Sequence, residues 1–151
     1  TMYDAPGVGL AANQIGILQR IVVIDVDYDI EGDDESNRTF LNQNPQIFIN
    51  PEITKRDGQI LFKEGCLSVP GFTEEVKRAK TVTFTYQDLK GAKHELHADG
   101  LLAVAVQHEL DHLDGKLFID RLSIAKKGLI KSKIKKEKNA KFERSRFHVE
   151  L

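Results

Sequence analysis

Residues Gln107 to Gly115 read QHELDHLDG. Within them, His108, Glu109 and His112 have the H-E-x-x-H spacing. On a helix, residues four apart share a face, so both imidazoles can reach one metal ion. Glu109 follows the first histidine and projects beside the pair, placed to act as a general base on water activated there. Two histidines satisfied by core hydrogen bonds would show the same spacing. The setting favours the metal: the segment is apolar, with Asp99 available to cap its start and Gly115 to end it. A buried helix keeps two imidazoles only if each has a partner.

Two histidines make half a metal site, and few residues could complete it. Proteases that continue the motif as H-x-x-G-x-x-H place a third histidine where this chain has Phe118. Thermolysin-like enzymes use a later glutamate, but Glu137 and Glu143 stand in a strongly basic stretch. His94 and His97 fall in an expected hairpin near the start of the helix. Cys66, in EGCLSVPG, remains; a thiolate and two imidazoles would leave a fourth, open position for water. As the only cysteine, it forms no intrachain disulfide, and a lone cysteine is commonly a small buried apolar residue.

Three blocks stand in order: GVGLAANQ (Gly7 to Gln14), EGCLS (Glu64 to Ser68) and QHELDH (Gln107 to His112). Together they closely resemble the three motifs of peptide deformylase. Similarity between the blocks, as in RIVVIDV and INPEI, extends the match over most of residues 2–125. The resemblance implies that Cys66, His108 and His112 bind a divalent metal. Iron(II) is the family's usual ion, and zinc, nickel or cobalt can occupy the same ligands. It implies removal of formate from the N-formylmethionine of nascent chains, with Glu109 as the base. The Gln14 side-chain amide and the Leu67 backbone N–H would stabilise the oxyanion.

Gly7 and Gly9 would bring backbone close to an extended peptide, beside Gly65. Val8, Phe62, Leu101, Val104 and Ala105 would line the methionine pocket, although ordinary core is an equal reading for Leu101 and Val104. Glu64 and Arg78 match an ion pair that props the site. Family members begin well upstream of the first block, so residues preceding TMYDAPG are expected to be missing here. Two other classes stay open: a metallopeptidase that cuts internal bonds, and a non-catalytic ribosome- or RNA-binding relative.

The elements that must position these residues are legible in outline. Arg20 to Tyr28, rich in β-branched residues, reads as a strand. Asp29 to Asn44 reads as an acidic surface loop, and PQIFINPEI as a strand interrupted by Pro51. QILFKEGC reads as a strand that turns at Pro70-Gly71. Val82, Phe84 and Tyr86 alternate ahead of a Lys90-Gly91 turn, which predicts a hairpin. Strands followed by a central and a terminal helix give an α+β class, with antiparallel sheets around a metal-binding helix.

The length, 151 residues, suits one domain: residues 1–125 catalytic, and 126–151 a basic C-terminal helix with an apolar line at Leu129, Ile130 and Ile134. Residues 1–125 hold 12 Lys+Arg against 20 Asp+Glu, a balance of −8; residues 126–151 hold 10 against 3, a balance of +7. The basic helix resembles that of bacterial deformylases, which implies a ribosome contact near the exit tunnel; a solvated helix is the plainer alternative. Neither DNA nor a membrane is an expected partner, since no apolar run is long enough to span a bilayer. The resemblance places the chain in bacterial cytoplasm, and an organelle or phage origin is also compatible.

Overall fold

The structure is a computed structural model that describes residues 1–34 and 36–147. The last four residues of the expected basic tail lie outside the described residues, as does Glu35 of the acidic stretch.

Five strands form an antiparallel sheet in the order β1-β2-β5-β8-β9. They are β1 (Gly9–Ala11), β2 (Ile21–Ile24), β5 (Gln46–Asp57), β8 (Thr81–Gln87) and β9 (Lys93–Ala98). Alternation fixes which face is covered: Val22 and Ile24 of β2, and Val82 and Phe84 of β8, are buried. Phe48 and Phe84 meet edge-on with ring centroids 5.1 Å apart, and Tyr86 packs edge-on against Phe48 at 4.8 Å.

Helix α1 (Gly100–Leu113) lies on this face, and Ala103, Ala105, Val106 and Leu110 close the core against the sheet. The helix is buried nearly all round, as its apolar sequence requires. Asp99 stands at the N-cap, but its side chain makes no capping hydrogen bond, contrary to expectation. Gly115 ends the helix as expected, with φ +71 and its N–H donated to the His112 carbonyl at 3.0 Å.

A second layer is the hairpin of β6 (Ile60–Cys66) and β7 (Val69–Arg78). Val69 and Val76 pack with Phe118, Ile119 and Ile130 in a separate core. Ile130 and Ile134 thereby dock α2 (Ile124–Phe147). Leu129 does not join them: one residue is 100° of helix rotation, and it is 64% exposed.

The structure changes three other boundaries. The acidic stretch is not all loop, because β3 (Asp29–Glu31) pairs with β4 (Thr39–Leu41). Pro51 does not end β5; the strand runs through it with a register shift between Ile49 and Glu52, where the missing N–H disturbs no ladder bond. The hairpin turns at Leu67-Ser68, and Pro70-Gly71 lie within β7.

Candidate metal centre

Cys66 ends β6 at a register shift against β7, where the strand stops pairing evenly. His108 and His112 lie one turn apart on α1, with ring centroids 4.8 Å apart. The Cys66 Sγ is 3.1 Å from His112 Nε2, which is 3.1 Å from His108 Nε2. The ligand atoms of the three residues all lie within 4.8 Å of one another. The thiol that meets the two imidazoles therefore comes from upstream, on a different layer of the fold.

The orientation of His108 is fixed from behind. Its Nδ1 donates to Glu64 Oε2 at 2.8 Å, which turns Nε2 toward the group. Glu64 in turn receives a fork from Arg78, with Nε at 2.7 Å and Nη2 at 2.9 Å. The third Arg78 nitrogen donates to Asp111 at 2.6 Å, and Asp111 also accepts two bonds from Arg121. Burial opposes ionisation of Glu64 and Asp111, yet the bonds from Arg78, His108 and Arg121 hold both carboxyls below their ordinary range.

Asp111 and Arg121 were not among the expected site residues. The signal was present: an aspartate inside an apolar helix needs a cation, and Arg121 lies ten residues on.

The same contacts set the state of the ligands. Burial resists ionisation of the Cys66 thiol, but His108, His112 and the Ser68 N–H bring it down to about 5. Burial pushes the Glu109 carboxyl up to about 7, against the pull of the two imidazoles. Its Oε2 is buried with no hydrogen-bond partner. Gly9 is required here, since a Cβ at that position would lie 2.5 Å from Glu109 Oε1.

Gln14 sits in a 3-10 turn (Ala12–Ile15) directly after β1. Its Oε1 accepts from the Ala11 N–H at 2.9 Å, which turns Nε2 toward Ser68 Oγ (3.4 Å) and Cys66 Sγ (3.8 Å). Leu67 follows Cys66 in the hairpin turn.

A cavity of about 460 Å³ opens on the group. Gly7, Val8 and Gly9 border one side, Phe62 and Gly65 the other, and Leu101, Val104 and Ala105 the helix side. Met2, Pro6 and Leu10 also border it, and these the sequence reading missed. The Gly7 side is held in place by Tyr28, whose hydroxyl donates to the Gly7 carbonyl at 3.1 Å. Tyr28 packs with Tyr3 and Phe40, which joins the β3–β4 hairpin to the first residues.

A larger, polar cavity of about 910 Å³ lies elsewhere, bordered by Arg20, Glu52, Arg56 and Lys116. It contains none of the three clustered ligands, so size alone does not identify the site.

The family model described as polypeptide deformylase matches residues 1–128. Peptide deformylase 2 of Xanthomonas axonopodis pv. citri is 50% identical over 138 residues, which cover 91% of this chain and 74% of that protein. The peptide deformylase of Stenotrophomonas maltophilia (strain R551-3) is 49% identical over the same shares. The crystal structure of a peptide deformylase from Legionella pneumophila superposes with a TM-score of 0.76 at 42% identity, covering 93% of this chain and 76% of that one.

Proposed function

The chain belongs to the peptide deformylase family, and from that premise we propose that Cys66, His108 and His112 hold the enzyme's divalent ion while Glu109, Gln14 and Leu67 carry the chemistry. The reaction is hydrolysis of the formyl amide on N-formylmethionine at the head of nascent polypeptides, with release of formate. The observation that carries the residue assignment is the convergence of one thiol and two imidazole nitrogens beside a buried carboxylate oxygen with no partner.

The donor set fits a metal ion. Tetrahedral S and N ligands at ordinary bond lengths stand about 3.3–3.6 Å apart, and the two shortest separations here are both 3.1 Å. A mixed thiolate and imidazole set suits iron(II), the ion we propose for the cell, and also zinc, nickel or cobalt. A divalent ion held there would supply Lewis acidity, making nearby water more acidic and the formyl carbon more electrophilic.

The chain's own residues do the rest. Glu109 takes a proton from the attacking water and returns it to the nitrogen of the leaving amine. Its buried Oε2 has no hydrogen-bond partner and can take up that proton. The Gln14 Nε2 and the Leu67 N–H donate to the oxygen that gains charge. The peptide enters extended: among the described residues β1 pairs with β2 alone and β6 with β7 alone, and residues of both β1 and β6 border the cavity. The methionine side chain occupies the space bordered by Val8, Phe62, Leu101, Val104 and Ala105.

Replacement of Glu109 with Ala should leave metal binding intact and lower kcat by about three orders of magnitude or more. Normal kcat in that variant would overturn the assignment.

We read residues 1–125 as the catalytic domain and 126–151 as its basic appendage, acting at the ribosome near the exit tunnel in bacterial cytoplasm. The exposed Lys131, Lys133, Lys135 and Lys136 on α2, and the bacterial origin of the relatives, support this reading. Deletion of residues 136–151 should weaken salt-sensitive cosedimentation with ribosomes; unchanged cosedimentation would refute it.

A further inference from the structure

Two buried side-chain atoms among the described residues lack a partner, Glu109 Oε2 and Asn13 Oδ1. The first belongs to the proposed base. The second belongs to a residue that the chemistry above does not use. Asn13 immediately precedes Gln14 in the 3-10 turn. Its Nδ2 donates to the main-chain carbonyl of His112 at 2.5 Å, across 99 positions of sequence. The amide cannot be turned over, because that would set one acceptor against another at hydrogen-bond distance. The bond therefore ties the turn that carries Gln14 to the residue on α1 whose ring faces Cys66.

Three other bonds of the turn close on itself, Gly16 N–H to the Asn13 carbonyl, Ile17 N–H to the Ala12 carbonyl and Ala11 N–H to Gln14 Oε1, while Gln14 Nε2 reaches the β6–β7 turn at Ser68 Oγ and Cys66 Sγ rather than α1. These fix the shape of the turn but not its place relative to α1. The Gln14 Oε1 is held by the backbone of its own turn, so any shift of the turn carries Nε2 with it. Misplacement of a reacting group by about 1 Å can cost about a hundredfold in rate.

We infer that Asn13 is a positioning residue for deformylation, whose bond to the His112 carbonyl sets the Gln14 amide where the oxyanion forms. The inference rests on the reading of Gln14 as an oxyanion donor. Loss of the Asn13 side chain leaves the His112 carbonyl bonded to the Gly115 N–H at 3.0 Å. It also removes the unpartnered buried Oδ1. The fold should therefore lose little while the donor loses its alignment.

The test is a double-mutant cycle on the metal-loaded chain, with kcat and KM on formyl-Met-Ala, metal content and melting temperature for each variant. Asn13→Ala should lower kcat about tenfold, a fraction of the 10²–10³ that a whole oxyanion donor supplies, with KM, metal content and melting temperature near wild type. Asn13→Asp, which sets a carboxylate against the carbonyl, should lose at least as much. In a Gln14→Ala background, adding Asn13→Ala should change kcat less than about twofold.

Unchanged kcat in Asn13→Ala, a loss that follows metal content, or full additivity with Gln14→Ala would each overturn the role. A wild-type chain that is loaded with metal yet releases no formate would overturn the assignment of chemistry beneath it. That outcome is distinguishable, because it appears before any variant is compared.

Discussion

Replacing Arg78 with Met removes a charge while keeping a side chain of similar length, and the structure sets the expected cost. The Arg78 side chain is 3% exposed and lies between Glu64 at 4% and Asp111 at 8%. Three of its nitrogens donate to these two carboxylates at 2.6–2.9 Å. Without them, Glu64 keeps only His108 and Asp111 keeps only Arg121. Breaking a buried pair by removing one partner costs about 3–5 kcal/mol. For a chain of this size that corresponds to a fall in Tm of about 8–15 °C.

Metal affinity should fall as well, by about 10- to 100-fold, because Glu64 would no longer hold the His108 ring firmly. The loss also has a pH signature. In the wild type both carboxyls titrate below their ordinary range, so their contribution is present above the unfolded pKa and fades as pH falls through the folded value. In the variant, burial is opposed only by His108 at Glu64 and by Arg121 at Asp111, so both pKa values move up toward their ordinary range and less of this contribution remains at neutral pH. The difference between the two proteins should therefore shrink on going from pH 7.5 to about pH 3.5, below the ordinary carboxylate values. Urea unfolding at both values, with zinc competition at pH 7.5, measures all three effects. A difference under about 1 kcal/mol at pH 7.5, or one that does not shrink in acid, would refute the reasoning.

Gly9→Ala should cut kcat by at least about tenfold while metal content holds, because the new Cβ displaces the Glu109 carboxylate; wild-type turnover would mean that the carboxylate moves aside freely. Cys66→Ser should sharply weaken metal binding, since a hydroxyl is not ionised at neutral pH and a thiolate is; full metal content in that variant would remove Cys66 from the ligand set. Chelation of the loaded protein should lower Tm, because the ion would join β6 to α1; an unchanged Tm would argue against a bridging ion.

Much of the site could be read from the sequence because its parts are local. The two histidines and Glu109 are fixed by helix periodicity, and the glycine block and Cys66 by short motifs. All eight expected pocket residues border the cavity. Long-range pairing was less legible. The β3–β4 ladder lies in a stretch whose acidic composition resembles a solvated loop, since its strands are three residues long and exposed. Pro70-Gly71 carries a strong local turn signal, yet the turn falls at Leu67-Ser68, where the chain reverses after Cys66. Pro51 looks like a strand breaker, but a register shift absorbs its missing N–H. Leu129 and Ile130 look equivalent in sequence and differ only in which side of α2 meets the second core. An aspartate inside an apolar helix signals that a cation must meet it, but that both Arg78 and Arg121 do so is set by proximity in three dimensions.

The most direct measurement of the central claim is formate release by the metal-loaded chain from formyl-Met-Ala, with the Glu109→Ala variant and an unformylated peptide run beside it. One bound ion per chain, steady formate release by the wild type, intact metal binding without turnover in the variant, and no cleavage of the unformylated peptide are expected. Cleavage of an internal peptide bond, or a fully loaded wild type that releases no formate, would contradict the account.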